Sequence, residues 1–122
     1  VVVTGLGVIS PLGNDPETLF SRIMEGESGI REVTSEGPKG PSTNVAGPAA
    51  FNSELYFPPL QKIDHIDRVG LFAMAASGMA VRDSGIEFTD ELRERSGVSF
   101  GTGMGAANAL EETFAQLLLR DP

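Results

Sequence analysis

Apolar residues recur along this chain with two periods, and the changes of period mark its elements. The first stretch, Val1-Val2-Val3-Thr4, is β-branched and apolar without alternation, the pattern of a strand covered on both faces. A helix is predicted next. Asn14 or Asp15 supplies its cap, Pro16 suits the first turn, Glu17 favours the positive end, and Gly26 is a natural stop. Leu19, Phe20, Ile23 and Met24 recur there at helical spacing as a core-facing stripe. From 28 to 62, dense glycine and proline predict little regular structure. Gly37-Pro38-Lys39-Gly40-Pro41-Ser42 reads as exposed loop, Val45-Ala46-Gly47 as a short edge strand, and Pro58-Pro59 blocks helix until after Leu60.

The strongest helical signal runs from Asp64 to Ser84, with Asp64 or Asp67 as cap and Gly85 as stop. Val69, Phe72, Ala73, Ala76 and Ala80 share one face. The run of small residues at Ala73, Ala75, Ala76, Ser77, Gly78 and Ala80 predicts backbone-to-backbone approach against another helix. Thr89 to Arg95 reads as a short polar helix with a solvated face of mixed charge. A strand is expected over Gly97 to Phe100, then a turn, then a helix whose apolar face holds Leu110, Phe114, Leu117 and Leu118. In that turn Gly101, Gly103 and Gly105 alternate with Thr102 and Met104. Glycines there permit positive φ or close approach to another surface, and the flexible thioether of Met104 suits a pocket wall or gate. The plainer reading makes Met104 ordinary core.

Composition narrows the function. At 122 residues the chain is one domain's worth. A net charge of −8 argues against nucleic acid as a partner, since phosphate contacts need clustered Lys and Arg. No apolar run approaches the ~20 residues of a membrane span, and no secretory signal is visible, so a cytoplasmic protein without a membrane partner is expected. The absence of cysteine excludes a cysteine nucleophile and thiolate metal sites within the chain, and a single histidine excludes paired-His zinc.

Gly5-Leu6-Gly7 invites a dinucleotide-binding reading, which requires a third glycine opening a helix directly and an acidic residue about 20 positions on, ending a second strand. Here Ser10 and Pro11 occupy the critical place, the helix starts only after Asn14, and no strand ends near Glu25 or Glu27. A stand-alone nucleotide-binding α/β domain is the weaker alternative.

Four landmarks together resemble the N-terminal portion of the β-ketoacyl-acyl-carrier-protein synthases, the elongating synthase II type and its polyketide relatives. They are V-V-V-T-G-L-G-V-I-S-P-L-G-N at 1–14, E-G-E-S-G-I at 25–30, D-R-V-G-L-F-A-M-A-A-S-G-M-A-V-R-D-S-G-I at 67–86 and R-S-G-V-S-F-G-T-G-M-G at 95–105. Their order and spacing cover nearly the whole chain, with only the loop 31–62 uninformative. The resemblance implies an α/β, thiolase-like fold in α-β-α-β-α layers, usually a homodimer, of which residues 1–122 are the first part of the N-terminal half. It also implies decarboxylative Claisen condensation of an acyl thioester with malonyl carrier protein, in fatty-acid or polyketide elongation. No cofactor is implied, the substrates riding on the phosphopantetheine of acyl carrier protein. The family's nucleophilic cysteine and two histidines are expected beyond Pro122, so this stretch alone is expected to be inactive and to hold no catalytic residue.

By the same resemblance, Met104 falls on the position that lines the acyl pocket near the dimer interface and limits chain length. Ala107 and Asn108 match positions facing the acyl channel. Lys62, His65 and Arg68 fall in the region that meets the acidic carrier protein, although Asp64 and Asp67 interleave with them, and Asp64 departs from the family pattern. A solvated helix start capped by Asp is the plainer reading of that cluster. Polyketide systems also pair a synthase with a similar subunit that lacks the nucleophile and shapes the chain-length pocket. This sequence does not separate the two.

Overall fold

The computed structural model describes residues 1–34, 44–58, 63 and 65–119. Among them, α1 (Pro16–Met24) leads to a ribbon of β1 (Arg31–Glu32) and β2 (Val45–Ala46), then a 3-10 turn at Ser53–Leu55. Three helices follow: α2 (Arg68–Ser84), α3 (Asp90–Glu94) and α4 (Ala107–Leu119).

The helices begin where side chains answer their orphan amides. Asp15, not Asn14, caps α1, its Oδ1 accepting from the Thr18 amide at 2.8 Å. Asn14 instead donates its side-chain amide to the Ala50 carbonyl at 2.6 Å. Asp67 caps α2, whereas Asp64, the other candidate, lies outside the described residues. Thr89 caps α3 through the Leu92 amide at 3.2 Å. Gly85 closes α2 in the left-handed region at φ +64°, which an L side chain adopts only with strain.

The edge strand expected at 45–47 forms, paired antiparallel with β1 in the register Arg31 opposite Ala46 and Glu32 opposite Val45. The strands expected at 1–4 and 97–100 do not: neither joins a sheet among the described residues, and Val2 and Val98 are 81% and 82% exposed. A β-branched run encodes the capacity to pair, but a ladder needs a neighbouring strand.

The stripe of small residues on α2 meets an extended stretch of chain, not the helix expected from its pattern. A β-carbon on Gly5 would overlap the Ala80 carbonyl oxygen and stand 2.7 Å from the Ser84 nitrogen; one on Gly7 would overlap the Ala76 carbonyl oxygen. The main chain therefore lies directly on the helix backbone, and Asp83 fastens it by accepting the Leu6 amide at 2.8 Å. Next, Ser10 and Gly13 exchange backbone hydrogen bonds of 3.0 and 3.3 Å in a tight turn ahead of α1. Close packing thus accounts for the glycine pair that invited a nucleotide-binding reading.

Loop 48–51 joins the start of α1 to the start of α2. Side chains of Arg31, Arg68 and Asn14 donate to the successive carbonyls of Pro48, Ala49 and Ala50. Phe51 stacks on Tyr56 with ring centroids 5.1 Å apart and meets Phe72 of α2 edge-on at 4.9 Å. Phe57 and Ala75 are the buried core among the described residues. The apolar face of α4 lies open, with Leu110, Phe114, Leu117 and Leu118 each more than half exposed. No described helix is long and apolar enough to cross a membrane.

Candidate functional site

The N-termini of α2 and α4 converge on one side chain, Asp67. Its Oδ1 accepts from the Val69 amide at 3.2 Å, the local capping bond of α2. Its Oδ2 accepts from the Ala109 amide of α4 at 2.9 Å, across 42 positions of sequence. Ala106, immediately before α4, contributes its carbonyl to the Leu110 amide, but its methyl side chain cannot answer the first-turn amides. Asp67 supplies that cap from another helix. A carboxylate suits the place because the positive ends of two helix dipoles face it and both hydrogen bonds are charge-assisted.

Around Asp67 lies an open cleft of about 180 Å³, bounded by His65 and Arg68 on one side and by Asn108, Ala109 and Glu112 of α4 on the other. His65 is exposed. Arg68 has structural duties as well: its guanidinium sits 4.8 Å from the Phe72 ring centroid and donates to the Ala49 carbonyl at 2.8 Å. The cleft carries charge of both signs, its lining including Asp67 and Glu112 as well as Arg68, with His65 beside them.

The glycine-rich turn leads directly into α4. Thr102 Oγ1 accepts the Gly105 amide at 3.1 Å, and Gly105 takes φ +65°. Of the turn's three glycines, Gly105 has the positive φ; β-carbons on Gly101 and Gly103 would meet nothing within 4 Å. Met104 projects from this turn at 79% exposure, so within this chain it is not core.

Of the residues singled out from sequence, the structure gathers His65, Arg68 and Asn108 into one cleft. Met104 and Ala107 stand on the adjoining turn and helix start, outside its lining. Lys62 lies outside the described residues. Sequence reasoning missed Glu112 as a neighbour of this cluster and the second bond of Asp67. A helix start at Ala106-Ala107 without a capping side chain was the available signal.

Comparison with known proteins places the chain. A family profile described as "Beta-ketoacyl synthase, N-terminal domain" matches residues 1–119. The 3-oxoacyl-[acyl-carrier-protein] synthase 2 of Staphylococcus aureus (strain N315) is 32% identical over 123 residues, covering 100% of this chain and 30% of that protein. The protein of the same name from Coxiella burnetii (strain RSA 493 / Nine Mile phase I) is 32% identical over 122 residues, with the same coverage. Among solved structures, "The ishigamide ketosynthase/chain length factor" superposes with a TM-score of 0.59 at 33% identity, covering 75% of this chain and 22% of that one. The chain belongs to the β-ketoacyl synthase family, within whose N-terminal domain its match falls. It spans about 30% of the length of the curated relatives it matches.

Proposed function

We propose that this chain is the leading part of a 3-oxoacyl-[acyl-carrier-protein] synthase, which condenses an acyl thioester with malonyl carrier protein, with loss of carbon dioxide, in fatty-acid elongation. One observation carries the reading: relatives named for that activity align over 100% of this chain. The fold of the whole protein is then thiolase-like, and the uncovered faces at Val1–Val3 and along α4 are where its remaining layers pack.

The condensation needs a thiolate nucleophile. This chain has no cysteine, so the nucleophile and its histidine partners belong to the remainder of the protein. The part played here is to shape and to dock. Met104 gates the depth of the acyl pocket near the interface of a homodimer, with Ala107 and Asn108 beside the acyl channel. Its support is a thioether standing clear of this chain's own core on a turn between two glycines. Lys62, His65 and Arg68 receive the acidic acyl carrier protein, which delivers both substrates on phosphopantetheine, so no cofactor is required. A charge-reversal pair at Lys62 and Arg68 should weaken carrier binding, and unchanged affinity would remove the docking role. A cytoplasmic location fits this supply of substrates.

The similarity to a structure titled as a ketosynthase/chain length factor favours one second reading, a pocket-shaping partner without a nucleophile. The full-length protein, incubated alone with acyl and malonyl carrier protein, decides between them by mass spectrometry. A 3-oxoacyl thioester two carbons longer marks the synthase. Product formed only when a second subunit is added marks the partner.

A further inference from the structure

We propose that Asp67 is a positioning residue for the acyl pocket. By capping α2 and α4 with one carboxylate, it holds the Met104–Asn108 segment at a fixed place relative to α2, and so sets the depth of the pocket. This inference rests on the pocket-shaping role given above to Met104 and Asn108.

The geometry points to a joint between elements. Each oxygen of the Asp67 carboxylate is committed to a different helix, Oδ1 to Val69 at 3.2 Å and Oδ2 to Ala109 at 2.9 Å. Ala106 offers α4 no capping side chain of its own, so the start of α4 is anchored through α2. Met104 stands only a few residues upstream of that anchor, on a turn closed by the Thr102–Gly105 bond. Movement of the α4 start would therefore carry the turn and its thioether with it. Arg68, next in sequence, is fixed against Phe72 and Ala49, so the α2 side of the joint is itself held.

The test uses the full-length protein and two readouts: amide hydrogen exchange at Ala109, and the carbon-number distribution of carrier-bound product. Asp67→Ser keeps a good local cap for α2 but cannot reach α4. Exchange at Ala109 should accelerate about tenfold or more while Val69 stays protected, and the product distribution should broaden. Unchanged exchange and an unchanged distribution would overturn the proposal. A second variant separates positioning from simple stabilisation: Ala106→Asp, added to Asp67→Ser, gives α4 its own cap without the tie to α2. Ala109 should then regain protection while the product distribution stays broad. Recovery of both readouts would make Asp67 a stabilising cap and nothing more, and the proposal would fall. If Asp67→Ser does not fold, Asp67→Thr, which also keeps a local cap for α2 and is too short to reach α4, takes its place with the same outcomes. A wild-type protein that makes no 3-oxoacyl product would instead sink the functional reading, and exchange at Ala109 would still decide whether the joint exists.

Discussion

Gly7 lies so close to α2 that a β-carbon on it would overlap the carbonyl oxygen of Ala76 and stand 2.8 Å from the Ala80 nitrogen. The obstacle is helix backbone, which cannot rotate aside as a side chain could. Gly7→Ala must lift the segment off α2 or displace the helix, and overpacking of this kind costs about 1–3 kcal/mol. Urea unfolding of the protein that carries this chain should show the loss as a lower midpoint. Gly97→Ala is the matched control, because a β-carbon there meets nothing within 4 Å, and it should stay within about 0.5 kcal/mol of wild type. Equal effects at the two positions would contradict the packing described.

Gly85 tests a different property of glycine. A β-carbon there also meets nothing within 4 Å, but φ is +64°. Gly85→Ala should therefore destabilise by about 1–2 kcal/mol through backbone strain alone. The same urea measurement checks it, and a neutral result would mean that α2 ends differently.

Asp15 gives α1 a pH-sensitive start. The Thr18 backbone N–H, followed by the Thr18 side chain, holds its carboxyl below the ordinary value of 3.8. Since the folded value lies below the unfolded one, the group stabilises α1 above pH 3.8, and that support is lost as pH falls through the folded value. A carbon-detected NMR titration should place the Asp15 midpoint below 3.8. Asp15→Asn, still a capping residue, should flatten the acid-side loss of α1 helicity; an identical acid profile would contradict the account.

Arg68 combines packing with charge, and Arg68→Lys separates them. Lysine keeps the positive charge but loses the planar group seated by Phe72 and bonded to the Ala49 carbonyl. Stability should fall by about 0.5–1 kcal/mol, the scale of an exposed cation–π contact. If Arg68 meets the carrier protein as a charge, carrier affinity should change less than twofold or so, on the scale of ordinary surface substitutions. A large loss of affinity with stability intact would instead assign the guanidinium geometry to docking.

These elements differ in how openly the sequence announces them. The helices were legible because their signals are local: Asp15 before Pro16, Asp67 before Arg68, Thr89 before Asp90, and Gly85 after Ser84. Val1–Thr4 and Gly97–Phe100 carry strand composition, but pairing depends on neighbours that the described residues do not supply. The small-residue face of α2 announced a close approach and not its partner, because Gly5 and Gly7 suit a crossing segment as well as alanine suits a helix. The second bond of Asp67 spans 42 positions and leaves no periodicity to read. Met104 was marked by its flanking glycines, and the gate role proposed for it is read out in product length.

That measurement tests the central claim most directly. Met104→Gly in the full-length protein, supplied with acyl and malonyl carrier protein, should shift the product distribution toward longer chains while condensation of short primers continues. An active enzyme whose product lengths match wild type would show that this turn does not bound the acyl pocket.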